Sequence, residues 1–212
     1  MVHCAHMKDL TIKALFTWAW EKFTQRPWAF IGLFAGALIV SGISSAILSS
    51  AEGVAGLYQL LWLGDYAVQT LVSMGIMAIG LKAYKDTAHL SIHDLWHPKR
   101  FVPYLFATLL TGITVIVGLV LLIVPGLVAM TMFMFAPYLV LDKGMSPVDA
   151  MKHSMKMTEG HRMSLFVFLL AMIGINILGA LLIGVGLLVS VPVSLLATVR
   201  AYRLLEAMPK SA

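Results

Sequence analysis

His89, His93 and His97 recur at every fourth position of DTAHLSIHDLWHPKR, with Asp86 and Asp94 close by. On one continuous helix the three imidazoles would share a face, and histidines at i and i+4 are a familiar metal-ligand pair. The neighbours argue against that helix. Ser91 is a capping residue between His89 and His93, and Pro98 ends any helix near His97. The reading is therefore three histidines in a basic, lipid-facing loop, with no metal and no cofactor. His3 and His6 flank Cys4, but a few soft ligands beside the first residue define no site. A single cysteine makes no internal disulfide.

The other residues with chemical potential lie within long apolar stretches. Ionisable or amide side chains there mark transport paths. Asp65, Gln69 and Asn176 are the candidates for a polar path near mid-membrane. Asp65 is expected at the outer start of its span, where it would cap the helix. A lone amide such as Asn176 or Gln69 ordinarily bonds a neighbouring helix. Arg200 is expected near the inner end of the last span, its head snorkelling to water. No acid–base pair, nucleophile elbow, phosphate loop or glycine-rich nucleotide motif is present, so no enzymatic activity is expected.

The elements that carry these residues follow from composition. The chain has 212 residues, 60% hydrophobic and 12% charged, whereas soluble domains carry about 25% charged residues. Lipid is the solvent such a chain requires. Six apolar runs approach the roughly 20 residues a bilayer core demands. They are Trp28–Ser49, Asp65–Ala83, Phe101–Val124, Gly126–Leu141, Ser164–Ile183 and Leu187–Leu205, the fourth and sixth being short enough to be re-entrant. Spans three and four are expected to turn on VPG and spans five and six on GVG. No small-residue cleavage pattern follows the first run, so it reads as a retained span.

A six-span arrangement puts all 15 Lys and Arg on one side. The positive-inside rule makes that side cytoplasmic, together with both termini, in a bacterial inner membrane. Net charge of +5 is thereby accounted for, and no nucleic-acid partner is indicated.

The polar segment DKGMSPVDAMKHSMKMTEGHR interrupts the apolar runs. Ser146 is an N-cap with Pro147 after it and Asp149 three residues on, and Gly160 is placed to end the helix. Val148, Met151, Met155 and Thr158 fall on one face, with Lys152, His153, Lys156 and Glu159 opposite. This predicts an amphipathic helix in the headgroup layer, with a loop helix packed on the bundle as the alternative. The pattern recurs. Ile12, Leu15, Phe16, Ala19 and Phe23 form one face before span one, and a shorter copy from Ser91 precedes span three. The fold class is thus all-α: one integral membrane domain of six helices in three hairpins, each entered through a surface helix. The repeat-like units cover about residues 8–85, 86–142 and 143–206.

The expected partners are membrane lipids, with anionic headgroups met by Lys13, Lys22, Arg26, Lys99, Arg100, Lys152, Lys156 and Arg162. Gly32 and Gly36 form a small-xxx-small face that would admit a second copy in a homo-oligomer. Pro137 and Pro192 are expected to kink spans four and six.

The stretch GLVLLIVPGLVAMTMFMFAPYLVLDKGMSPVDAMKHSMKMTEGHR resembles the hairpin-plus-helix signature of YciC-type bacterial inner-membrane proteins. It also resembles the membrane domain attached to some glycerophosphoryl diester phosphodiesterases. The features that match are Pro125–Gly126, Ala136–Pro137, Asp142, Ala150, Ser154 and Gly160, and Gly184 to Leu205 is similar to the last hairpin. The resemblance implies a six-helix membrane domain and carries no catalytic residues. Together these readings give a non-enzymatic, lipid-associated structural or accessory protein. The alternative is a small transporter or channel.

Overall fold

A computed structural model describes residues 11–51, 53–85, 98–181 and 185–208. Among the described residues there are nine helices and no strand. They are α1 (Ile12–Gln25), α2 (Pro27–Ser49), α3 (Ala55–Lys85), α4 (Pro98–Leu121), α5 (Ile123–Phe133), α6 (Ala136–Lys143), α7 (Pro147–Met157), α8 (Arg162–Leu181) and α9 (Leu187–Ala207). The segment holding His89, His93 and His97, with the surface helix expected from Ser91, lies outside the described residues.

Among the described residues, six stretches are long and apolar enough to cross a membrane: Pro27–Ser49, Gly56–Lys85, Lys99–Leu121, Val124–Lys143, Arg162–Leu181 and Leu187–Ala207. Two of these spans and one turn differ from expectation. Span two begins about ten residues early, because most of the connector before Asp65 is already helical. Span four is two helices. The helical ladder is interrupted at Met134–Phe135, both still in right-handed backbone geometry, and Pro137, which has no N–H to continue the ladder, sits in the first turn of α6. The turn between α4 and α5 is the single extended residue Leu122, so Pro125 and Gly126 lie inside the first turn of α5. Pro192 lies within α9, which runs unbroken to Ala207.

The core is built around α9. Leu196, Ala197, Val199, Ala201 and Tyr202 have no exposed surface. This helix packs on α1, α2, α3 and α8, while α4 packs on α5, α6 and α7. Glycine permits the closest approaches. A Cβ on Gly186 would lie 2.5 Å from the carbonyl oxygen of Gly179, and one on Gly118 would lie 2.9 Å from Cα of Gly126. The outer faces of α2, α4 and α8 present Ile39, Val120 and Leu178, the surface that hydrocarbon would cover.

α1 buries Leu15, Ala19 and Phe23, with Ile12 and Phe16 half-buried beside them, as its periodicity requires. The packed face of α7 is one step round from the expected one. Ala150 and Ser154 are buried, with Thr158 just beyond, while Met151 is half-buried and Val148 is 52% exposed. Small residues win that face because they let the helix approach α5 and α6 closely.

Candidate functional site

Asp142 lies in the last turn of α6, the wrong end of a helix dipole for a carboxylate. It therefore needs a cation, and α9 supplies one. Arg203 donates from both terminal nitrogens to the two carboxylate oxygens, each at 2.8 Å, and the hydroxyl of Tyr202 donates to Oδ2 at 3.0 Å. The Arg203 and Asp142 side chains are 16% and 18% exposed. Arg203 also reaches Glu206 at 3.3 Å, and Lys143 pairs with Glu206 at 2.5 Å. The guanidinium lies over the rings of Tyr84 and Tyr202 at 6.0 and 5.3 Å.

From α4, Arg100 donates to the carbonyls of Leu141 and Asp142. It thus satisfies acceptors that the end of α6 leaves without intrahelical partners. Gly144, at φ 68°, completes that terminus by donating its N–H to the carbonyl of Val140. Arg100 was expected to face lipid headgroups; its NH1 instead faces inward.

A second layer attaches α1. Trp18 packs on Tyr84 at 5.2 Å between ring centres. Arg200 lies 5.3 Å over Trp18, with Lys22 at 5.9 Å, and Arg200 donates to the carbonyl of Ala14 at 3.1 Å. So Arg200 is not a free snorkelling head. It pins α1 to α9.

A third layer is α7. Ser146 accepts from the N–H of Asp149 at 3.2 Å and donates to its carboxylate at 2.6 Å, the N-cap read from the sequence. Gly160 takes φ 79° just after the helix, as its placement there requires. The buried hydroxyl of Ser154 donates at 2.7 Å to the carbonyl of Met132, one of those released by the break between α5 and α6.

The remaining predicted headgroup contacts are distributed around this end. Lys13, Arg26, Lys99, Lys152 and Lys156 are exposed, whereas Lys22 and Arg162 are half-buried, with Nε of Arg162 lacking a partner among the described residues. The three polar-path residues divide into two clusters. Ser44 donates to Asp65 at 2.6 Å and Ser41 donates to Gln69 at 2.8 Å, both between α2 and α3, and within α3 Gln69 donates to Asp65 at 3.4 Å. Asp65 lies inside α3 and does not cap it. Asn176 donates to the carbonyl of Met172 at 2.8 Å within α8, and it joins α9 by donating to Ser194 at 3.1 Å and accepting from Ser190 at 2.9 Å. No hydrogen bond among the described residues joins the two clusters.

The arrangement defines a multi-pass α-helical membrane protein whose basic end is cross-linked by paired charges and cation–ring contacts. The profile of a family described as "Protein of unknown function (DUF975)" matches residues 109–208, which include α5 to α9 and most of α4. The chain is 25% identical to the uncharacterized protein Rv2560 of Mycobacterium tuberculosis and to the uncharacterized protein Mb2590 of Mycobacterium bovis. Each alignment covers 90% of this chain and 67% of the relative, so the chain spans about two thirds of their length. No solved structure matches it.

Proposed function

We propose that the protein is a non-enzymatic, lipid-associated structural or accessory component of a bacterial inner membrane. In this reading the basic end is cytoplasmic and the spans form three hairpins, with α1 and α7 lying along the surface as amphipathic entry helices. The observation that carries it is α7. The helix is held to the bundle by Ala150 and Ser154, yet it leaves Lys152 and Lys156 exposed beside the apolar flank of Val148 and Met151. A surface helix with that flank and those cations suits an anionic headgroup layer. The resemblance to YciC-type inner-membrane proteins supports the same reading, and the open space around Gly32 and Gly36 suits a second copy. The transporter reading has less support, since Asn176 spends its amide on α8 and α9 and Asp65 is held by Ser44. The test is native mass spectrometry of the protein released from mixed bilayers. Anionic lipid should be retained in excess over its bulk share; loss of all lipid at low activation energy would overturn the reading.

A further inference from the structure

A shallow, open groove of about 450 Å³ lies along α1 beside Arg200 of α9, lined by Thr11, Lys13, Thr17, Trp18, Glu21 and Arg200. We infer that it binds the phosphate ester of an amino alcohol, a phosphoethanolamine-type group, with Arg200 and Lys13 on the phosphate and Glu21 on the ammonium.

Arg200 is the anchor. It is laid on Trp18 and bonded to the carbonyl of Ala14, so its plane is fixed before any ligand arrives. A guanidinium has five N–H donors in a rigid fork, and among the described residues Ala14 is the acceptor it reaches. No ion pair among the described residues includes Arg200, Lys13 or Glu21. Arg203 and Lys143, by contrast, are committed to Asp142 and Glu206. Lys13, Thr17 and Glu21 follow at successive steps of four along α1, which places a cation, a hydroxyl and a carboxylate in line along one wall. A plain phosphate would be repelled at the Glu21 end. An ester whose phosphate lies toward Lys13 and whose amine lies toward Glu21 matches both ends. Phosphate binding favours the planar fork of arginine, which can engage two oxygens at once.

The inference rests on the lipid-association reading for its lipid source, but a soluble ester would present the same chemistry. The full chain is placed in nanodiscs holding equal phosphatidylethanolamine and phosphatidylglycerol, and retained lipid is counted by native mass spectrometry. At this one site wild type should retain the ethanolamine lipid in preference, as the last lipid released on activation, while phosphatidylglycerol stays in excess among the lipids held by the exposed lysines. Glu21→Gln should lower that preference about tenfold, the loss of one charge-assisted contact. Lys13→Gln, on the exposed rim where folding is not at risk, should weaken both lipids alike. An unchanged preference in Glu21→Gln, or unchanged retention in Lys13→Gln, overturns the groove. Hydrogen exchange over residues 11–25 with free phosphoethanolamine supplies the second arm. Protection by the free ester assigns the site to a soluble ligand, and protection by the lipid alone assigns it to the bilayer. If lipid is retained but no groove variant alters it, the groove falls and the association stands. If no lipid is retained yet the free ester protects α1, the association falls and the groove stands.

Discussion

Arg203 and Asp142 meet through two 2.8 Å bonds although 61 residues separate them in sequence. This pair joins α6, the second helix of span four, to the helix at the centre of the bundle. Removing one member leaves a largely buried charge with only part of its partners, Glu206 for Arg203 or the Tyr202 hydroxyl for Asp142, which costs about 3 kcal/mol. Asp142→Asn and Arg203→Gln should each lower thermal stability by that order, and the double variant by clearly less than their sum. Melting curves in one detergent check this, and strict additivity would show that the two residues are not coupled.

Ser154→Ala should cost about 1 kcal/mol, the net worth of one hydrogen bond. The effect should be local. The carbonyl of Met132 would lose its donor, and amide exchange should rise at residues 133–137 more than within α7. Uniform acceleration across the chain would contradict the local assignment.

Gly186→Ala should destabilise by more than 1 kcal/mol, since the new Cβ would lie 2.5 Å from the carbonyl oxygen of Gly179 on a neighbouring backbone. Gly36→Ala is the control. Nothing lies within 4 Å of that position, and alanine is the better helix former by about 1 kcal/mol. Denaturation of both variants under one condition should give opposite signs. A destabilised Gly36→Ala would instead indicate a partner on that face.

Single cysteines at Ser50 and Lys152, in a Cys4→Ser background, should react with an impermeant maleimide from opposite sides of the membrane. Ser50 follows the end of α2, and Lys152 is exposed on α7 at the basic end. Labelling of both from one side would refute six crossings.

Replacing Lys152 and Lys156 together by Glu should raise hydrogen exchange over residues 146–159 more in anionic nanodiscs than in neutral ones. Each lysine near an anionic surface contributes about 1 kcal/mol, screened by salt. An equal change in both bilayers would assign the lysines to solvent and α7 to the bundle alone.

The spans were legible because apolar length and basic clustering are local signals, as were the Ser146 cap and the α1 face of Leu15, Ala19 and Phe23. Partners distant in sequence were not legible. Arg200, Arg203 and Glu206 recur at steps of three in RAYRLLE, which marks one face of α9, but nothing local shows that Asp142, Trp18 and Ala14 lie opposite. Arg100 was read as a lipid contact because its role depends on where α6 ends. Asp65 was read as a cap because the second apolar run was taken to start there, whereas α3 already begins at Ala55.

The bond from Arg200 to Ala14 spans 186 residues, with consequences for biogenesis. Every helix that α9 gathers emerges from the ribosome before it does, and α1 emerges first among those described. Until α9 is made, Trp18 has no guanidinium above it and the carboxylate of Asp142 has no counter-charge. Stop codons placed just before Leu187 should therefore yield inserted but protease-sensitive chains, since insertion is local and closure waits for α9.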